Sequence, residues 1–475
     1  MFLRMINMKK ILPVFFVILL VSCFIPLGAF NSADTDFVIE DGVLYSYSGT
    51  AENITIPNSA YSIADNAFEG NTKIKSVKLH SNLHSIGNRA FYNCTQLATV
   101  SNADSVSYVG GLAFVNTKFL TQSTVEFNTL GCVLLSYNGN RTDVILPDNI
   151  KVVAPYAFLR DTKISSITAN DNLTTIGEGA FYECTSLKTV NVTDSVSYIG
   201  PDAFYKTKWL SSQSGFVVLG DSILVAYNGS DTNIKIPSTV RQIAPNAFYG
   251  NAKITDVTIP PSVYSVGSHA FMNCSKLSTV NFNSGLVMID NEAFANCSKL
   301  KSVATVSTLE YLGEGAFANC TSLQSAFITG DSLTIDYGAF AYCDNLEVVL
   351  LSNTVSSVAP SVFANDTKLK YINVSEDIIG ISREAFGGCT SLTVVCKKDS
   401  FADSALSKDF LVSHNIGDAN ADNEVNILDA TQIQAHVANV RELALLSYPF
   451  ADVDFDAQIT IMDATRLQRI FAGLL

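Results

Sequence analysis

Residues 270–293 read Ala-Phe-Met-Asn-Cys-Ser-Lys-Leu-Ser-Thr-Val-Asn-Phe-Asn-Ser-Gly-Leu-Val-Met-Ile-Asp-Asn-Glu-Ala, and Ala293 opens the same pattern again. The apolar positions are Phe271, Leu277, Val280, Phe282, Leu286 and Ile289. Val280 and Phe282 alternate with polar residues, the period of a strand with one buried face. A unit of this length cannot bury these side chains alone, but parallel stacking sets each one against its copy a strand spacing away. The Ala-Phe pair recurs at Ala67, Ala90, Ala113, Ala157, Ala180, Ala203, Ala247, Ala270, Ala293, Ala316, Ala339 and Ala385, and Val362-Phe363 fills the one gap. The step from Ala67 to Ala90 is kept throughout, except from Ala113 to Ala157 and from Ala203 to Ala247, where it nearly doubles. Two insertions of equal length therefore interrupt a strict period.

Leu277-x-x-Val280-x-Phe282 has leucine-rich-repeat spacing. Ile176-Gly177-Glu178-Gly179-Ala180-Phe181-Tyr182-Glu183-Cys184 and Leu312-Gly313-Glu314-Gly315-Ala316-Phe317-Ala318-Asn319-Cys320 carry a motif that resembles the BspA-like family of leucine-rich repeats. The resemblance runs over about residues 37–400 in thirteen copies. It implies a β-rich, right-handed repeat solenoid with a parallel sheet on its concave side.

A longer period overlies the first. Leu44, Leu134 and Leu224 are evenly spaced, and Tyr47, Tyr137 and Tyr227 keep the same interval. Residues 37–49, 127–139 and 216–229 are thus one element used three times, and Asp41-Gly42 between apolar runs marks it as a β-hairpin. The first hairpin covers the open end of the ladder, as an unpaired edge requires. Phe119 and Trp209 enter two of these units as packing anchors, and Ser400 reads as the N-cap of a short closing helix.

The 475 residues are 48% hydrophobic and 16% charged, so most of the chain should fold. A net charge of −14 argues against a nucleic-acid partner. Arg4, Lys9 and Lys10 precede an apolar run from Ile11 to Ile25, which reads as a signal peptide over 1–29 with cleavage after Ala29. Leu20-Val21-Ser22-Cys23 also resembles a lipobox, which would make Cys23 a lipid anchor. The repeat domain then spans 30–412 and a second module 414–475, with no membrane span.

Cys94, Cys184, Cys274, Cys297, Cys320, Cys343 and Cys389 share one repeat position, filled elsewhere by Asn71, Thr117, Asp161, Thr207, Asn251 and Asp366. Such a site suits a small side chain bonded to a turn rather than half of a disulfide, although adjacent copies would stack near bonding distance.

The C-terminal module carries the chemistry. Asp418, Asn420, Asp422, Glu424, Asn426 and Asp429 stand at positions 1, 3, 5, 7, 9 and 12 of one loop. Asp452, Asp454, Asp456, Gln458, Thr460 and Asp463 repeat the set in a second loop further along the chain. Calcium takes six to eight oxygens, and alternate oxygen-bearing residues with one backbone carbonyl deliver them. Tandem loops with one trailing helix each resemble a type I dockerin, which implies two Ca2+ ions and a cohesin module of a scaffolding protein as partner. It further implies cohesin contacts at Ile427, Leu428, Ile461 and Met462, with Gln434, Ala435, Gln468 and Arg469 on the helices. Ile433, Val437, Leu467 and Ile470 are left to hold the helices together. Position 6, usually glycine, is Asn423 in one loop and Ala457 in the other, where a left-handed backbone costs about 1 kcal/mol.

No catalytic signature is present, and none of the five histidines falls in a metalloprotease pattern. On the concave face the outward positions are mainly polar, as at Ser166, Thr168, Thr189 and Asn191, until Phe327, Val348, Leu350, Tyr371 and Val394. These five read as an exposed apolar patch that binds a protein, unless an end cap, the C-terminal module or a second copy covers it. The expectation is an extracellular, non-catalytic adhesion or adaptor protein mounted on a cellulosome-like scaffold. The alternatives are a hydrolase or peptidase component with an unrecognised site, or a lipid-anchored surface adhesin.

Overall fold

The structure, a computed structural model, describes residues 36–475 apart from Asp331, Asn423, Gly473 and Leu475. The signal segment and Cys23 lie outside the described residues. The described residues form two compact units, one up to Ser211 and the other from Ser212 on.

Most turns of the repeat contribute two short strands, so a second, narrower parallel ladder accompanies the expected sheet, thinning to a single bridge between Ser357 and Gly380 in the last turns. The wider ladder contains the Val280 position. Asn53–Thr55, Ser76–Lys78 and Thr99–Ser101 pair in register, as do Asn233–Lys235, Asp256–Thr258 and Thr279–Asn281. The narrower ladder is built from two-residue strands at the Ile-Gly motif, such as Ser62–Ile63, Ser85–Ile86 and Tyr108–Val109. The glycine after this strand is a matter of space. A Cβ on Gly177 would lie 2.6 Å from the Pro155 backbone nitrogen of the preceding turn, and one on Gly313 2.6 Å from that of Asn291.

The Ala-Phe pair is rigid for two reasons. The Phe271 N–H donates to the Ala293 carbonyl at 2.7 Å, and Phe294 to Ala316 likewise, so the pair itself carries hydrogen bonds from turn to turn. The rings stack as well. Successive phenylalanine centroids from Phe248 to Phe386 are 4.4 to 5.7 Å apart, close to strand spacing, with planes within 14° of parallel. Left-handed residues bracket the pair, His269 (φ 57°) before it and Asn273 (φ 64°) after it, which suits the asparagines and glycines so common there.

The three hairpins form as expected, at Phe37–Glu40 with Val43–Tyr47, Phe127–Leu130 with Val133–Tyr137, and Phe216–Leu219 with Ile223–Tyr227. Each ends in the tyrosine that begins a phenylalanine stack: Tyr47 on Phe68, Tyr137 on Phe158 and Tyr227 on Phe248. The far ends are closed edge-on or at a steep tilt by Phe119 on Phe114, Trp209 on Phe204 and Phe410 on Phe386. Ser400 does cap a helix, Phe401–Leu406, whose Ala402 and Leu406 are fully buried. One further parallel strand, Leu411–Ser413, then extends the wider ladder.

Each of the seven aligned cysteines donates its Sγ–H to the phenylalanine carbonyl of the preceding turn, at 2.9 to 3.3 Å. Thr117 and Thr207 instead bond the carbonyl within their own turn, and Asn71 and Asp161 accept backbone N–H groups. The nine described cysteines are unpaired. Asp366 is the outlier of this series. It is fully buried, accepts the Cys343 N–H at 2.7 Å through one oxygen, and has no hydrogen-bond partner for the other. Burial pushes its carboxyl up to about 9, so it is neutral at pH 7.

Two outcomes follow. Phe294→Ala should cost about 3–5 kcal/mol in chemical denaturation, because its ring is stacked on both sides. For Asp366 the folded chain keeps a proton that the unfolded chain releases above about pH 4, so its stability is full in acid and falls as pH rises toward 9. Asp366→Asn, the residue found at positions 71 and 251, should therefore raise the melting temperature at pH 7, with the difference shrinking to little by pH 4.

Candidate metal centre and docking face

Residues 414–475 fold around two helices, Ile427–Val437 and Ile461–Phe471. Each starts with a capping box built from residues of the loop before it. The Asn426 side chain accepts the Leu428 N–H while Asp429 reaches back to the Asn426 N–H at 2.8 Å. Thr460 and Asp463 do the same in the second loop. Loop positions 9 and 12 thus cap the helix, and the aspartate at position 12 turns its other oxygen into the loop, where Asp429 Oδ1 accepts the Asn420 N–H and Asp463 Oδ1 the Val453 N–H. The other side chains are held by backbone donors. Asp418 Oδ1 accepts the Asp422 N–H and Asp452 Oδ1 the Asp456 N–H, both at 3.1 Å.

In the second loop one carboxylate oxygen each from Asp452, Asp454 and Asp463 fall within 4.8 Å of one another. Asp454 Oδ1 is buried without a hydrogen-bond partner. Burial, reinforced by Asp463, Asp456 and Asp454, pushes Asp452 up to about 8. Burial likewise pushes Asp463 up to about 6. Such a cluster is destabilised by its own charge, and a hard divalent cation relieves both the repulsion and the orphaned oxygen. The residues present fit calcium: Asp452, Asp454, Asp456 and Asp463 offer carboxylates, Gln458 a backbone carbonyl and Thr460 a hydroxyl. Asp418, Asn420, Asp422, Glu424, Asn426 and Asp429 stand in the same order in the first loop. Asn423 lies outside the described residues. Ala457 adopts the left-handed conformation its position demands, with φ 64°.

The module's core differs in part from the expected stripe. Ile433 and Leu467 are buried, but Val437 and Ile470 are exposed. Ala430, Ala464, Leu443 and Val453 take their place, because small residues at Ala430 and Ala464 let the helices approach closely. Of the residues expected to meet a partner, Ile427 and Leu428 are 53% and 61% exposed, and Ile461 and Met462 49% and 59%. Arg469 is exposed, and Gln434, Ala435 and Gln468 are half-buried.

The apolar patch of the repeat domain is not open. Val348 and Leu350 are fully buried in a cluster with Ala457, against which Phe327, Leu445, Leu446, Tyr448 and Ile459 pack. Tyr371 lies edge-on to Phe450 at 5.3 Å. The chain's own C-terminal module covers the surface, so it is not free for a foreign protein. Val394 does not belong to this face at all. It pairs with Ile372, one position short of the full period, and points into the core. One residue fewer in the last turn inverts the faces, putting Thr393 beside Tyr371 where Val394 was expected. Nothing in the spacing marks Leu445–Ser447 and Tyr448–Ala451, the two short helices that make this contact. The apolar run Leu443-Ala444-Leu445-Leu446 is the one signal that could have done so.

The model of the BspA type leucine rich repeat region, in six copies, matches residues 38–158, 128–214, 225–347 and 266–393. That of the dockerin type I domain matches residues 416–472. Among solved structures, a leucine-rich repeat protein from Bacteroides ovatus is 22% identical, covering 76% of this chain and 95% of its own, with a TM-score of 0.31. The pneumococcal vaccine antigen PcpA is 16% identical, covering 80% and 96%, with a TM-score of 0.37. A Treponema pallidum leucine-rich repeat protein is 26% identical, covering 42% and 95%, with a TM-score of 0.35. No curated protein matches the chain. Among the described residues no helix is long and apolar enough to cross a membrane.

Because Asn426, Asp429, Thr460 and Asp463, which would help hold calcium, also cap the helices, calcium and helix formation are expected to be linked. Adding a chelator to the full chain should lower the helical circular-dichroism signal while the strand signal stays, and excess calcium should restore it.

Proposed function

The chain belongs to the BspA-type leucine-rich repeat family and carries a C-terminal type I dockerin domain, and from this we propose that it is an extracellular, non-catalytic adaptor held on a cellulosome-type scaffold by calcium-dependent binding to a cohesin. The observation that carries the reading is the duplicated loop, each copy combining a full set of oxygen ligands with an exposed apolar pair beside the last one. Calcium folds the loops and fixes those pairs at the helix starts, and desolvating Ile427, Leu428, Ile461 and Met462 supplies the binding energy. We assign two ions, one per loop.

The division that suits this role is a leader over 1–29, a repeat domain over 30–412 and the dockerin over 414–475. The repeat domain is the cargo. Its ligand surface lies on the polar strand faces, where Thr189, Asn191, Thr279 and Asn281 are exposed. The architecture is a non-catalytic one, and no described feature favours a hydrolase or peptidase.

The two exposed pairs are equivalent, so the dockerin can engage a cohesin in either of two orientations. Replacing Ile427 and Leu428 with aspartate should leave binding to a responsive cohesin within about threefold, and so should replacing Ile461 and Met462. All four replacements together should abolish it, as should chelation of calcium. Isothermal titration against a panel of cohesin modules measures each case, and a panel that gives no calcium-dependent binding at all would overturn the reading.

A further inference from the structure

The second calcium loop is set apart by what lies beneath it. Asp452, at position 1, is fully buried, and its Oδ2 accepts two hydrogen bonds. One comes from the Ala457 N–H inside the loop at 3.2 Å. The other comes from outside the module, from Asn373 Nδ2 on the wider repeat ladder at 2.7 Å. Asn373 is itself fully buried and fixed in orientation, since its Oδ1 accepts the Leu351 N–H at 2.6 Å. The Asn353 N–H donates to the Phe455 carbonyl at 2.6 Å, gripping the loop at position 4. The methyl of Ala457 sits with Val348 and Leu350 in a shared apolar cluster.

We infer that the C-terminal end of the repeat sheet is a built seat for the second calcium loop, with Asn373 a positioning residue for Asp452. Calcium binding and the contact between repeats and dockerin then stabilise one another. The inference rests on the reading of this module as a calcium-binding dockerin. Three observations support it together. A carboxylate that must present one oxygen to an ion has its other oxygen held by a buried amide, the arrangement by which outer-shell partners orient ligands. The left-handed alanine, a weakness in an isolated loop, has its methyl packed against the sheet. The proposed cohesin contacts Ile427, Leu428, Ile461 and Met462 remain exposed while the seat is occupied, so seating and cohesin binding are compatible. The seat therefore orients the dockerin without blocking it.

The test is calcium titration of the full chain by calorimetry, for the wild type, Asn373→Leu and Leu350→Ala. Asn373→Leu removes the amide donor at similar volume, and Leu350→Ala thins the apolar seat without touching a polar group. Two ions should bind the wild type. Each variant should lose about tenfold or more in affinity at one site with the other unchanged. Hydrogen exchange supplies a readout that a merely structural role would not move. Amides of Val348–Leu351 and Tyr371–Val374 should gain protection on adding calcium in the wild type, and Asn373→Leu should lose that calcium dependence. Two unchanged affinities in both variants, with sheet protection indifferent to calcium, would overturn the seat while leaving the dockerin intact. Failure of the wild type to bind calcium at all would instead overturn the dockerin reading, and the seat with it.

Discussion

Everything in the repeat domain depends on one coincidence of length, that a phenyl ring stacked on another occupies nearly the distance between hydrogen-bonded strands. At 4.4 to 5.7 Å the rings can follow the backbone ladder without bending it. The strict period follows, because any insertion within a turn would move a ring out of line. The residue before each stacked phenylalanine, alanine everywhere but at Val362, offers its carbonyl to the preceding turn's amide, and the cysteine three positions after the ring fits because its thiol reaches a phenylalanine carbonyl in the same column. The two long insertions fall where a stack starts afresh on a tyrosine.

Much of this is legible from residues alone. The period, the three hairpins, the packing roles of Phe119 and Trp209, and the helix capped by Ser400 all come from local spacing or local hydrogen bonding, and local rules govern them. The narrower ladder is not, since such short strands leave no alternation to detect. Val394 is misplaced by the period because the last turn is one residue short, and a pattern read from thirteen copies hides a change in the final one. Val348 and Leu350 do face outward from the sheet, as alternation predicts, yet what covers them depends on a fold that begins much later in the chain. Sequence periodicity describes a turn's neighbours and says nothing about a visitor from another domain.

The calcium loops divide the same way. Ligand order and helix caps are readable one by one, because each capping box is local to a single helical turn. The involvement of Asn373 is not, because its hydrogen bond to Asp452 joins positions 79 apart on different domains. Ala457 illustrates the difference. Judged within its loop it is an unfavourable residue, whereas against Leu350 it is a packed one.

The hairpins also bear on how such a chain comes to fold. Parallel strands joined by long connections form slowly, because loop closure must precede any reward from pairing. An antiparallel hairpin closes within microseconds from neighbouring residues. Each block of repeats begins with one, and Leu44, Leu134 and Leu224 in its second strand pair directly with the first parallel strand, at Ile63, Val153 and Ile243. The hairpins are therefore ready-made templates, spaced along the chain so that each block can start growing from its own N-terminal edge as it is synthesised, without waiting for the block behind it to finish.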